Sequence, residues 1–342
     1  MDKILNDFKV IDLSGYSFSG KSAYFDLLCE FEGYNYHSRE FEFELVRISD
    51  GILDLYNALV ENWSPVRSSE AIRKFKRLIR VFGGNDKFSS RLLGRGYKYD
   101  YYFKDFSKIS EKLLEQLVNA SWKSEWPFAY TNYPLYRIIL KKILFRLGKK
   151  NIFESEVFLS RFEKDEFLSI IRDYFDMLIR NNMMKDKDKA LILNNAFETT
   201  DPSKSHSFFY HAKSIIVDRD PRDIYLSALK NGSVGGVNVG KTAIGNNVDD
   251  FIYRFKLYRK DLKTTENVLR INFENLVMEY DKTLSRIFSF LGEESSVHIY
   301  PKKYFNPDIS RKGVGMWKNV GGQLKKDIEK IYFELKDYCL DI

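Results

Sequence analysis

Apolar and polar positions change period twice along the chain, and the changes predict its elements. Phe8-Lys-Val-Ile-Asp-Leu13 is a short, partly β-branched run followed at once by Ser14-Gly15, which predicts a strand entering a glycine loop. In 22–31 the residues Tyr24, Phe25, Leu28 and Phe31 recur at helical spacing. Positions 40–47 then alternate strictly, predicting a half-buried strand with Glu40, Glu42 and Glu44 on one face.

From Gly51 to about Lys189 the period is helical, in 52–61, 70–81, 110–120, 135–147 and 163–180. A break at 122–134 holds Trp122 and Trp126 with two prolines. Strand signals return at 190–194, 214–218 and 268–272, separated by helix-like segments, and strands alternating with helices argue for a parallel sheet. Positions 233–245, rich in Gly, Val and Asn without a period, are expected to be a mobile loop. The expected fold is an α/β, P-loop-containing three-layer α/β/α domain. It has a mostly parallel sheet, spans 1–342 as a single domain, and carries a helical insertion at 51–189.

Composition narrows the function classes. At 44% hydrophobic and 30% charged the chain can bury a sizeable core. Two cysteines, Cys29 and Cys339, exclude a disulfide scaffold and a Cys-rich zinc site, and four scattered histidines suggest no metal cluster. The net charge of +7 suits an anionic ligand, but it is too small and dispersed to indicate nucleic acid. Met1 to Leu13 lacks a signal peptide's apolar segment, and no window reaches the ~18 apolar residues of a membrane span. A cytoplasmic chain is expected. Its most lipid-like stretch, 136–147, is interrupted by Arg137, Lys141, Lys142 and Arg146, so no integral membrane segment is expected; peripheral membrane contact stays open on other grounds.

Gly15-Tyr16-Ser17-Phe18-Ser19-Gly20-Lys21-Ser22 matches G-x-x-x-x-G-K-[ST] at every fixed position, between a predicted strand and a helix. Glycines let successive N–H groups turn toward phosphate oxygens, the helix adds its positive end, and Lys21 adds a full charge. Such a loop holds a phosphate-like anion. A P-loop kinase using ATP would also need a carboxylate on Mg²⁺, and Asp218 at the end of 214–218 is the candidate.

The residues that follow point elsewhere. Arg219-Asp220-Pro221-Arg222-Asp223 leads from the strand into a helix carrying Ser227, so Arg219 and Ser227 can converge on one phosphate. Here the chain resembles the PAPS-dependent sulfotransferases, closest in style to the bacterial and carbohydrate ones. In that family the glycine loop binds the 5′-phosphosulfate, and an Arg and a Ser eight residues apart in an R-[DN]-P-[RK]-D segment bind the 3′-phosphate. Asn272-Phe273-Glu274-Asn275-Leu276-Val277, with its later Phe-Leu-Gly292, is similar to the family's "FEDLV…FLG" segment. Arg311-Lys312-Gly313 with Gly315-Met-Trp317-Lys318 is similar to its C-terminal "RKG…GxWK" loop. The resemblance covers 8–47 and 190–320.

It implies sulfuryl transfer from PAPS to a hydroxyl, releasing PAP without a metal. The loop residues and Lys21 would hold the 5′ end. Arg219, Ser227, Arg311, Lys312 and Gly313 would hold the 3′-phosphate. Three departures stand out. Phe18 replaces the family's Lys or Arg two positions before Gly20, and Lys21 stands where the family has Thr, so Lys21 is expected to supply the missing charge. The loop between Gly313 and Trp317 is also one residue shorter than the common cytosolic pattern.

Family members use His or Glu as the base, and the carbohydrate branch places a Glu about twenty residues beyond the loop. That maps onto Glu42, then Glu40, with His37 beside them, while His206, His211 and His298 are expected to be structural. The acceptor implied is a carbohydrate, a polysaccharide or glycolipid, with the insertion shaping its site. Trp63, Trp122, Trp126 and the Tyr-rich 97–102 could stack on sugar faces, but core is the favoured reading, and Arg73, Lys74, Lys76 and Arg77 could draw in an acidic glycan, though such a run is usually a solvated face. Two other readings remain: the ATP-dependent kinase with Lys21 and Asp218, and a catalytically inactive nucleotide-binding protein.

Overall fold

The computed structural model describes residues 8–84, 98–126, 128, 135–148, 154–183, 188–230, 232–234 and 237–341. These fall in two compact units, 1–44 with 185–342, and 45–184.

The first unit begins with β1 (Lys9–Gly15), the glycine loop, α1 (Lys21–Leu28) and a short β2 (Tyr34–Asn35). The second unit contains α2 (Ile52–Tyr56), which continues as a π-helical turn, then α3 (Pro65–Gly83), α4 (Tyr99–Tyr102) and α5 (Phe106–Leu117). It also holds β3 (Ala120–Ser124), α6 (Leu135–Arg146), β4 (Ser155–Leu159) and α7 (Lys164–Met183). The chain returns to the first unit with β5 (Ala190–Asn194), α8 (Ser203–His206), β6 (Ala212–Asp218) and α9 (Pro221–Lys230). There follow β7 (Ser233–Val234), β8 (Val237–Asn238), α10 (Val239–Ile244), α11 (Val248–Tyr258) and β9 (Val268–Asn272). The last helices are α12 (Phe273–Met278), α13 (Tyr280–Leu291), α14 (Pro307–Ser310) and α15 (Gly322–Glu334).

The five-stranded sheet runs β2-β5-β1-β6-β9, and every pairing in it is parallel. Continuous apolar runs are what a parallel strand buried on both faces requires. Ile11 and Leu13 of β1, Ile192 of β5, Ile215 and Val217 of β6 and Ile271 of β9 form one core with Leu27 of α1 and Ile287 of α13. On the other side of β1, Asp12 is fully buried; its Oδ1 accepts from the Ser14 hydroxyl at 2.8 Å and from the Ala196 N–H at 2.9 Å. Burial pushes the Asp12 carboxyl up to about 6. Register sets Leu13 opposite Asn194 and Asp218 opposite Asn272, so the strands deliver their carboxyl ends to one edge. That is where open α/β sheets bind ligands.

Three sequence expectations are corrected. Positions 40–47 form no strand, although Phe41, Phe43 and Leu45 are buried while Glu40 and Glu42 are exposed. One-sided burial produces the alternation, but only the Phe43 N–H, 2.8 Å from the Asn194 carbonyl, reaches the edge of β5, and the chain turns from Leu45 onward. Positions 233–245 are not a structureless loop: β7 and β8 pair antiparallel, and the Asn238 side chain caps α10 by accepting from the Lys241 N–H. The 110–120 helix stops at Leu117, and β3, which contains Trp122, pairs antiparallel with β4.

Within the second unit, Ile72, Phe75 and Phe82 of α3 and Phe106, Leu113 and Leu117 of α5 are buried. Ser68 donates to the Ser160 carbonyl at 2.8 Å and accepts from the Ser160 N–H at 2.9 Å. Trp63 donates to the same carbonyl at 2.8 Å. Tyr99 is fully buried, whereas Trp122 and Tyr101 are exposed, and Tyr97 lies outside the described residues. The basic run is an ion-paired face: Arg73 pairs with Glu70, Lys74 with Asp50 at 3.3 Å and Lys76 with Glu156 at 2.9 Å.

Candidate active site

The glycine loop joins β1 to α1 at the carboxyl edge of the sheet. A Cβ on Gly15 would sit 2.7 Å from Ser19 Oγ and 2.8 Å from the Val217 carbonyl, so the first glycine is sterically required. Gly20 has φ +82°, and a Cβ there would meet the Phe273 ring at 2.5 Å. Phe18 also takes a left-handed φ, 62°. Gly20 is the N-cap of α1 and provides no side-chain acceptor, so first-turn N–H groups are left for another acceptor. Ser19 is buried and its Oγ has no partner. Ser17 and Ser22 lie at the surface. Tyr16 donates to the Tyr258 carbonyl at 3.3 Å, and burial raises its phenol pKa.

Arg219 ties three segments together. Its Nη1 donates to Ser227 Oγ at 2.9 Å and to the Phe18 carbonyl at 3.1 Å, and its Nη2 donates to the Gly313 carbonyl. The guanidinium lies 4.9 Å from the Phe273 ring centroid. Its Nε is buried without a partner. Burial lowers the Arg219 pKa, opposed by Asp223, Glu274 and Asp220. The Ser227 pairing thus follows the sequence reading, and Gly313 joins through its backbone. Arg311 and Lys312 are exposed, and the Arg311 carbonyl accepts from the Val314 N–H at 3.0 Å. Asp223 fixes the same C-terminal loop by accepting from the N–H of Gly315 at 2.7 Å and of Trp317 at 3.3 Å.

Lys21 is held at the opposite end of the loop. Its Nζ donates to Asn194 Oδ1 and stands 3.6 Å from Glu42 Oε1. That Oε1 also accepts from Asn195 Nδ2 at 2.6 Å, while Asn194 Nδ2 donates to the Arg39 carbonyl at 3.0 Å. Glu42 Oε2 has no partner among the described residues. Glu40 is exposed, with only its N–H donating to Ser38 Oγ at 3.3 Å. The His37 ring packs edge-on to Phe41 at 5.7 Å, and burial lowers its pKa to about 4. Of the three proposed bases, Glu42 is brought within 3.6 Å of Lys21 Nζ. His206 bonds to Ser214 Oγ at 2.9 Å and His298 to Glu30 at 2.6 Å, both structural contacts.

Asp218 is fully engaged. Arg259 Nε donates to Oδ2 at 2.7 Å and Nη2 to Oδ1, while the guanidinium stacks 3.7 Å from the Tyr16 ring centroid. Glu274 lies behind Arg219: Oε1 accepts from the Asp220 N–H at 3.0 Å, Oε2 is buried without a partner, and burial pushes the carboxyl up to about 7.

Sequence reasoning missed Asn194, Asn195, Arg259, Phe273 and Asp223. The Asn-Asn pair closing an apolar strand was a usable signal; Arg259 offered none. A cavity of about 510 Å³ is lined by Arg222, Trp317, Lys325 and Tyr332 and includes no glycine-loop residue. The groove beside the glycine loop, lined by Tyr16, Ser17, Arg254 and Tyr258, is far smaller.

No family model and no curated protein matches the chain. Among solved structures it is similar to a sulfotransferase domain from the Synechococcus PCC 7002 olefin synthase. That match has 14% identity, covers 98% of this chain and 96% of that one, and has a TM-score of 0.39. A sulfotransferase domain from the curacin biosynthetic pathway matches at 15%, covering 96% and 98%, TM-score 0.37. Retinol dehydratase in complex with androsterone and inactive cofactor PAP matches at 13%, covering 99% and 85%, TM-score 0.34. With identity and TM-score this low, the functional reading rests on the site's own residues.

Proposed function

We propose that the chain is a sulfotransferase that moves a sulfuryl group from PAPS to an acceptor hydroxyl and releases PAP. The observation that carries this reading is the Arg219 junction, where a buried guanidinium meets Ser227, the glycine loop at Phe18 and the C-terminal loop at Gly313. It is a second cationic centre besides Lys21, as a donor with anions at both ends requires. The unpartnered buried Arg219 Nε and Ser19 Oγ, with the uncapped start of α1, supply donors that such a ligand would satisfy.

Each residue has a physical role in this reading. Lys21 and the N–H groups that open α1 hold the 5′ end and balance charge on the leaving phosphate. Arg219 and Ser227 hold the 3′-phosphate, with Arg311, Lys312 and Gly313 closing over it. Lys21 and Asn195 orient Glu42 through Oε1, leaving Oε2 to take the acceptor proton. The bound donor supplies an activated sulfuryl group, whose bond to the phosphate breaks as the bond to the acceptor oxygen forms. Glu42 precedes Glu40 and His37 as the base because its Oε1 stands 3.6 Å from Lys21 Nζ.

A carbohydrate hydroxyl is the acceptor class proposed, from the resemblance to the carbohydrate branch of the family. The kinase reading loses its metal-binding carboxylate to Arg259. The test is metal-free turnover of PAPS, followed as PAP released, with polysaccharides, glycolipids and simple alcohols as acceptors. PAP released together with a sulfated product supports transfer. PAP binding without release on any acceptor would instead identify an inactive nucleotide-binding protein.

A further inference from the structure

Helix α6 is apolar at every position except Arg137, Lys141, Lys142 and Arg146, it has no acidic residue, and none of its side chains is buried. Tyr136, Ile139, Leu140, Ile143 and Leu147 fall at the spacing of one helical stripe, yet they are 44 to 70% exposed. A helix apolar over most of its circumference belongs in an apolar environment. Its twelve residues extend only about 18 Å, short of the roughly 30 Å of a bilayer core. No described helix is long and apolar enough to cross a membrane. Lys141 is tied to Glu125 at 2.9 Å, linking α6 to the segment carrying exposed Trp122 and Phe128. Aromatic side chains of this kind favour the headgroup level of a lipid surface.

We infer that α6 is a membrane-surface helix that lays its apolar stripe into an anionic lipid surface, with its cations against the headgroups. The charge pattern selects this occupant. Four cations and no acid within the helix, one of the cations (Lys141) on Glu125, complement anionic phospholipid, and long Lys and Arg stems reach headgroups while their methylenes stay in the acyl boundary. The inference is independent of the sulfuryl-transfer reading. If that reading also holds, peripheral attachment would bring the enzyme to hydroxyls of membrane-borne acceptors.

The test is sedimentation of the full chain with vesicles of phosphatidylcholine alone, or with about 30% phosphatidylglycerol. The wild type should sediment with the anionic vesicles only, lose binding near 0.5 M salt (order of magnitude) and show a blue shift in tryptophan emission. Ile139→Glu with Ile143→Glu should abolish binding without changing the circular dichroism, since neither residue is in the core. Lys142→Gln with Arg146→Gln should weaken it roughly 30-fold, at about 1 kcal/mol for each cation. Absence of wild-type binding, or Glu variants that bind as the wild type does, would overturn the inference. So would a wild-type dimer that Ile139→Glu converts to a monomer, because a second copy would then cover the stripe.

Discussion

Arg259 closes on both oxygens of Asp218, with Nε 2.7 Å from Oδ2 and Nη2 on Oδ1, so the acid at the end of β6 is held in an ion pair. The Arg259 side chain is only 2% exposed, whereas Asp218 is 25% exposed. Asp218→Asn therefore strands a buried cation and should cost about 3 kcal/mol of stability, the low end for a buried pair. Denaturant unfolding reads this loss, and PAP affinity in EDTA should change little. Loss of Mg-ATP binding at unchanged stability would favour the kinase.

Arg219→Ala removes the donors to Ser227, Phe18 and Gly313 together. PAP should bind roughly 10- to 100-fold more weakly, as expected for lost charge-assisted hydrogen bonds, while adenosine 5′-phosphosulfate should be little affected. Calorimetric titration of both ligands separates the cases. Equal loss for the two would remove the 3′-phosphate assignment.

Asn195 takes φ +54°, a region that Asn, Asp and His share more readily than other side chains. Asn195→Asp therefore keeps backbone and size, but sets an acceptor against Glu42 in place of the Nδ2 donor at 2.6 Å. Turnover should fall about 100-fold with the Kd for PAP unchanged, and Asn195→His, which restores a donor, should recover part of it. Unchanged turnover in Asn195→Asp would show that Glu42 is not the group being oriented.

Glu274 gives a signed pH dependence. Its carboxyl is raised from 4.5 to about 7 in the folded chain, so between those values the folded state binds the extra proton and stability falls as pH rises. Below pH 4.5 the group is neutral in both states and contributes nothing. Glu274→Gln should therefore match the wild type near pH 4 and exceed it by up to about 3 kcal/mol above pH 7. Unfolding curves at both pH values check this. A pH-independent difference would contradict it.

What was legible in the sequence follows from how each feature is encoded. Ala190–Asn194 and Val268–Asn272 could be read to the residue because strands buried on both faces are short continuous apolar runs. Arg219 and Ser227 could be paired because one strand end and the next two helical turns hold both. Positions 40–47 misled because a segment buried on one side alternates whether or not a strand lies beside it. The short α10 escaped notice because Gly240 interrupts its period, where backbone contact with Gly232 leaves no room for a Cβ. Asn195 and Arg259 are 153 and 41 residues from the partners they hold, so only the fold brings them to the site.

The most direct test of the central claim is the melting temperature with PAP in EDTA, set against ATP with Mg²⁺. PAP at about 100 times its Kd should stabilise the chain by about 2.7 kcal/mol, without metal and beyond any shift with ATP. A shift produced only by ATP with Mg²⁺ would contradict the account and return the glycine loop to a kinase.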